Sequence, residues 1–236
     1  MKLVLTCEHG GNQVPQAYRH LFRGAQDMLN SHRGWDPGAL DLYEALLPQA
    51  DAGWSATVTR LLVELNRSPG HPKLFSEYSR VLGPAEREQV LATYYRPFRE
   101  AVARRITRFL KAGHPVLHIS VHTFTPVLDG KPRDLEVGLL YDPAHGRERV
   151  IAKAWKDRMQ ELAKGWRIRM NQPYKGTSDG HTKALRERFG AGYAGIELEV
   201  RNDLLLHPQA SVIVRSAMAI SLQELRQAKD LFPGGR

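Results

Sequence analysis

Apolar positions along this chain fall into two alternating rhythms, short runs bounded by turn residues and longer stretches spaced three and four apart. Residues 2–6 predict a strand that empties into a polar, glycine-rich loop over 7–15, which carries Cys7, Glu8, His9, Gly10, Gly11 and Asn12. After a short helical or irregular passage to Asn30, the spacing of Leu40, Tyr43, Leu46 and Leu47 predicts a helix, with Pro37 suited to its first position and Asp36 to its N-cap. Residues 54–59 and 61–65 predict strands ending in the turn-rich stretch 66–72. A long helix is expected over 83–113, kinked at Pro97 and ended by Gly113. Residues 116–121 predict a strand that delivers His122 at its end. Further strands are expected at 135–141, 166–170 and 194–200, and helices at 147–164, 180–189 and 211–231.

Strands alternating with helices predict an α/β fold, a three-layer αβα sandwich around a central, mostly parallel (mixed) sheet that keeps its site at the strand ends. With 236 residues and 42% hydrophobic composition, one domain over 1–236 is the expectation. No apolar run approaches membrane-spanning length, and the first strand leaves no room for a signal peptide. With a single cysteine, Cys7, this predicts a soluble, cytoplasmic protein without an internal disulfide. The net charge of +9 raises nucleic acid as a partner. Its Lys and Arg residues are mixed with acids and apolar residues in helical stretches rather than gathered in a tail, so solvated helix faces are the expected reading and nucleic acid is disfavoured. A basic surface would also draw in a small anionic substrate. Nothing in the sequence sets an oligomeric state.

His9, Asp36 and His122 together offer two imidazoles and a carboxylate, a ligand set for catalytic zinc with a fourth position left for water. Both histidines follow predicted strands directly; for Asp36, helix capping is the alternative. Arg60 is a candidate to stabilise the oxygen of a tetrahedral intermediate, and an arginine beside an asparagine, Arg67 and Asn66, suits two-pronged capture of a carboxylate. Surface ion pairs are the alternative for both arginines. Glu197 and Glu199 share a face of one predicted strand, where burial without partners is costly. A glutamate there would take a proton from an attacking water and return it to the leaving nitrogen, unless the strand is an edge with a solvated face. The stretch 171–181 is too polar and turn-rich for core and offers Tyr174, Lys175 and His181 as substrate contacts, with Arg133 and Asp134 as weaker ones. His32 is a candidate to orient Asp36.

Taken together, several motifs resemble the N-formylglutamate amidohydrolase family. They are Cys-Glu-His-Gly-Gly-Asn-x-Val-Pro at 7–15, His-x-Gly-x-Asp-x-Gly-Ala at 32–39, Leu-Asn-Arg at 65–67, Ser-Val-His-Thr-Phe-Thr-Pro at 120–126, Gly-Leu-Leu-Tyr-Asp at 138–142, Asn-x-Pro-Tyr-x-Gly-x-x-Asp-Gly at 171–180 and Gly-Ile-Glu-Leu-Glu-Val at 195–200. The match runs from residue 3 to about 205. The resemblance implies a metal-dependent amide hydrolase that releases formate from N-formylglutamate in histidine breakdown, with a fold similar to zinc exopeptidases. It implies His9 and His122 as metal ligands, Glu199 as the catalytic glutamate, and Asn66, Arg67 and Arg60 in the positions that hold a carboxylate and face the oxyanion in zinc carboxypeptidases and aspartoacylases. One departure stands out. Zinc carboxypeptidases carry a glutamate three residues after the first histidine ligand, where this chain has Asn12, so the remaining ligand is Asp36 or, failing that, Glu8.

The expectation is therefore a zinc-dependent amidohydrolase acting on a small-molecule N-acyl amino acid. Its rivals are a zinc exopeptidase or deacylase acting on peptides or cell-wall fragments, a non-catalytic basic protein binding an anionic ligand or RNA, and a hydrolase with Cys7 as nucleophile, for which no second signature speaks.

Overall fold

The computed structural model describes residues 1–228 and residue 231. Its strands are β1 (Lys2–Cys7), β2 (Ala52–Ser55), β3 (Val116–Phe124), β4 (Val127–Leu128), β5 (Lys131–Pro132), β6 (Val137–Leu140), β7 (Ile168–Met170) and β8 (Tyr193–Arg201). Strands β4 and β5 form a separate hairpin, and the others make a six-stranded sheet in the order β2-β1-β3-β8-β6-β7. All neighbours pair in parallel except β6 and β8, which run antiparallel, so the sheet is mixed and mostly parallel as expected. The helices are α1 (Gln26–Asn30), α2 (Ala39–Leu46), α3 (Pro84–Val90), α4 (Arg96–Lys111), α5 (Gly146–Leu162), α6 (His181–Phe189), α7 (Asn202–Leu206) and α8 (Pro208–Gln227). Among the described residues no helix is long and apolar enough to cross a membrane.

The period-2 alternation of the central strands divides the interior. Leu3, Leu5, Leu117, Ile119, Val121, Ile196 and Leu198 pack on one face with Leu42 and Leu46 of α2, Trp155 of α5 and Met218 and Leu222 of α8. A second core on the other side joins Val4, Val116 and Tyr193 to Val102 and Ile106 of α4, Leu185 of α6, and the segment Leu61, Leu62, Val63 and Leu65. Between its apolar members that second face carries the alternate residues Ser120, His122, Glu197 and Glu199. Ser120 lies beside Glu197 and His122 beside Glu199 in the β3–β8 ladder. A buried polar stripe thus runs to the carboxyl ends of the two strands.

Several expectations change. Residues 61–65 form no strand, and of 54–59 only the start belongs to β2, with Val58 making an isolated bridge to Gln13. The apolar run is still buried, because partners from outside satisfy its main chain. Glu64 N–H donates to Leu74 O (2.9 Å), Leu61 O accepts from Ser79 Oγ (3.0 Å), and Leu65 O accepts from Arg99 Nη1 (2.9 Å). The long helix is divided into α3 and α4 by a π turn over Leu91–Tyr95, so that Pro97, which has no N–H to donate, falls in the first turn of α4, and Gly113 closes α4 in the left-handed region (φ 79°). Asp36 is not a side-chain cap. Its carbonyl accepts from Ala39 N–H (3.0 Å), and α2 starts after Gly38, whose φ of 84° and close approach to Leu205 leave no room for a Cβ. The last helix begins at Pro208 and extends to Gln227, and part of its expected end at 231 lies outside the described residues.

Candidate active site

Three segments are laced together where β1 ends. Gly11 lies so close to the main chain of Thr57 that a Cβ would come within 2.7 Å of its carbonyl oxygen. Asp36 N–H donates to His9 O (3.0 Å), and Thr59 Oγ1 donates to Gly34 O (2.9 Å). Strand β3 brings His122 alongside. His9 Nδ1 and His122 Nδ1 then converge on one oxygen, Asp36 Oδ2, at 3.1 and 2.9 Å. One ligand atom from each of these three buried residues lies within 4.8 Å of the others.

This geometry fits a small divalent cation. Ligands 2.0–2.1 Å from a tetrahedral zinc ion stand roughly 3.3 Å from one another. Each candidate ligand is also held from behind, as metal ligands are. The second nitrogen of His9 meets the Glu64 carboxylate, His122 Nε2 lies 2.8 Å from Ser120 Oγ, and Asp36 Oδ1 accepts from Arg60 Nη1 at 3.0 Å. Burial works against charge on Asp36, but His9, His122 and Arg60 hold its carboxyl well below the usual range. Burial likewise opposes charge on His122, yet its hydrogen bond to Asp36 and the carboxylates of Asp36, Glu8 and Glu199 push it up to about 10.

The group opens on a cavity of about 230 Å³ that is also lined by Arg60, Asn66, Arg67, Arg133, Tyr174, Lys175, Glu197 and Glu199. Glu199 is buried, and its Oε2 has no hydrogen-bond partner among the described residues. Burial, reinforced by Asp36 and Glu197 and opposed by His122, pushes its carboxyl up to about 8. Burial also lifts Glu197 above its usual range, where Thr182 donates to it. Arg60 spends N–H groups on Glu64 through Nε (2.7 Å) and Nη2 (2.5 Å) and on Asp36 through Nη1. A guanidinium has five N–H groups, so two remain. Arg67 Nη1 donates to the carbonyls of Asn66 (3.0 Å) and Asp179 (2.7 Å), and Ser68 grips the Asp179 carboxylate, so the 171–180 loop is pinned beside the anchor pair. Arg133 stacks on Phe124 and Tyr174 and donates to the Tyr174 hydroxyl at 2.9 Å.

Most residues expected from sequence meet here, with exceptions. His181 does not line the cavity. As the first residue of α6 it turns inward, with Nδ1 at 2.8 Å from Glu8 Oε1, so a substrate contact from its side chain is not what the structure provides. Glu8 lies outside the convergent group, facing His181 and Ser120. Asn12 donates to Leu29 O and Asn30 Oδ1, away from the site. His32 is exposed on the cavity wall rather than packed behind Asp36; that place belongs to Arg60. Asp134 pairs with Arg167. Sequence reasoning missed Glu64 and Ser120. A lone glutamate inside the apolar run 61–65 was the available signal for the first, the same signal that singles out Glu197 and Glu199.

Among curated proteins none matches this chain in sequence. The fold is similar to that of the gene product Atu2144 from Agrobacterium tumefaciens, with a TM-score of 0.82 and 28% identity over 97% of this chain and 92% of that one. It is also similar to N-formylglutamate amidohydrolase from Ralstonia eutropha JMP134, with a TM-score of 0.70 and 19% identity over 98% and 94% of the two chains. Residues 1–206 match the N-formylglutamate amidohydrolase family, and the chain belongs to that family of amide hydrolases.

Proposed function

We propose that this protein is a zinc-dependent amidohydrolase that converts N-formylglutamate to glutamate and formate. The observation that carries the reading is the convergence of His9, His122 and Asp36 beside a cavity that also holds an unpartnered carboxyl, Glu199, and the Asn66–Arg67 pair. A zinc ion held there would polarise the formyl carbonyl and ease ionisation of water at neutral pH. Glu199 takes a proton from the attacking water and returns it to the amine nitrogen as the C–N bond breaks; a carboxyl raised towards neutrality suits both transfers. The two N–H groups left on Arg60 stabilise the carbonyl oxygen as it gains charge. Asn66 and Arg67 hold one carboxylate. Arg133, made rigid by Phe124 and Tyr174, holds a second together with Lys175, which favours a dicarboxylic substrate. With Cys7 its single cysteine, we place the reaction in the reducing cytoplasm, as a formate-releasing step of histidine breakdown.

The test is elemental analysis of the purified protein with formate and acetate release measured across N-formyl and N-acetyl amino acids, before and after chelation. Zinc content and chelation-sensitive formate release, greatest with N-formylglutamate, are expected. A metal-free protein inactive on every amide would overturn the reading.

A further inference from the structure

Behind His122 runs a chain of polar groups with no place in the cavity wall. Ser120 Oγ stands 2.8 Å from His122 Nε2 and 2.7 Å from Glu8 Oε2, and Glu8 Oε1 stands 2.8 Å from His181 Nδ1. The main-chain N–H of His181 in turn donates to Asn66 Oδ1 at 2.6 Å. Glu8, Ser120 and His181 are each no more than 1% exposed, so no solvent competes for these bonds.

Counting protons fixes their direction. An ionised carboxylate only accepts, and a serine has one hydroxyl proton. Ser120 gives that proton to Glu8, so its oxygen must accept from His122. The Nε2 proton of His122 therefore points to the serine, and Nδ1, beside Asp36 Oδ2, is the nitrogen left for a cation. We propose that Glu8, acting through Ser120 and itself anchored by His181, is a positioning residue that sets the tautomer and ring orientation of His122 for metal binding. The inference rests on the metal-dependent reading above. It gives Glu8 a task other than coordination, and it ties the candidate substrate anchor Asn66 to the metal site through the backbone of α6.

Glu8→Gln is the discriminating variant because it keeps the shape. Its amide can donate to Ser120, which frees the serine proton for His122 Nε2 and favours the tautomer whose proton blocks Nδ1. Zinc affinity, measured by competition with a chromophoric chelator, should weaken about 10- to 100-fold, and Ser120→Ala should act in the same direction. In zinc-loaded wild type, NMR should show His122 with its proton on Nε2 and a downfield Nε2–H resonance that moves upfield in Ser120→Ala. Thermal melts of the metal-free proteins identify a variant that fails to fold, in which case the other decides. Zinc affinities of the folded variants within about twofold of wild type, with the resonance unmoved, would overturn the relay while leaving the metal site standing. A wild type that binds no zinc would overturn the metal-dependent reading itself.

Discussion

His122 and Glu199 are direct neighbours across the β3–β8 ladder, one hydrogen-bonded to the Asp36 carboxylate and the other with an oxygen that has no partner among the described residues. The adjacency places a proton acceptor beside a candidate ligand whose own two nitrogens are turned to Asp36 and Ser120. Glu199→Gln should therefore retain zinc at the wild-type level while turnover falls about 10²- to 10⁴-fold, the usual worth of a general acid–base group. In the metal-free chain this carboxyl titrates near 8, and a bound cation would lower that value. Activity should fall as pH drops through the pKa of Glu199, and this acid limb should vanish in the variant. Wild-type turnover in Glu199→Gln would remove it from the proton transfer.

Metal binding should release protons. With its pKa near 10, His122 in the metal-free chain carries a proton on both nitrogens at pH 7, and a cation at Nδ1 must displace one. Calorimetric titration with zinc in buffers of different ionisation enthalpy should show release of about one proton or more per ion, and affinity should weaken as pH is lowered. The same shift has a stability consequence. A folded-state pKa raised above the unfolded value of about 6.5 stabilises the metal-free protein fully below that pH, and the gain is lost as pH rises through about 10. A binding enthalpy indifferent to buffer would contradict the assignment.

Glu64 joins Arg60 to His9 from behind the site. Arg60 and His9 hold its carboxyl well below the usual range against the opposing effect of burial. Glu64→Ala leaves a guanidinium with Asp36 as its sole carboxylate partner among the described residues, and His9 without its second bond. Loss of about 3–5 kcal/mol of stability is expected from breaking so buried a pair, measured by denaturant unfolding of the metal-free protein. Zinc affinity should weaken as well, about 10- to 100-fold. An unchanged unfolding midpoint would show that Arg60 and His9 find other partners.

These residues also show what the sequence could reveal. His9, His122 and Glu199 were legible because strand periodicity and the habit of α/β sheets to place chemistry at strand ends are local rules. Asp36 was legible only as one of two alternatives, since its contact with His122 crosses 86 positions and competes with a helix-capping role. The apolar pattern of 61–65 predicts a strand but is the same for the buried irregular path found there. Ser79 and Arg99, remote in sequence, supply the bonds that make an irregular path affordable there. His181 shares a polar stretch with Tyr174 and Lys175, yet the start of α6 turns it inward. The antiparallel direction of β6 likewise depends on how connections cross the sheet, which no local pattern encodes.

The two arginine anchors should be separable by substrate. Arg67 lies beside Asn66, whereas Arg133 is stacked between Phe124 and Tyr174. An α-carboxylate is common to every N-formyl amino acid, but a second carboxylate belongs only to substrates such as N-formylglutamate. If Arg133 holds the side-chain carboxylate, Arg133→Ala should lower kcat/KM for N-formylglutamate about 10- to 100-fold, the worth of a charge-assisted hydrogen bond, and leave N-formylnorvaline nearly unaffected. Arg67→Ala should lower both by a similar factor, because neither substrate can do without its α-carboxylate contact. Arg67→Lys should recover only part of the loss, since an ammonium group cannot make the two-pronged pair. The opposite pattern, in which Arg67→Ala spares N-formylnorvaline and Arg133→Ala does not, would exchange the two carboxylates within the cavity. Equal losses on both substrates from both variants would leave neither arginine assigned to the side chain, and the preference for a dicarboxylic substrate would lose its structural basis.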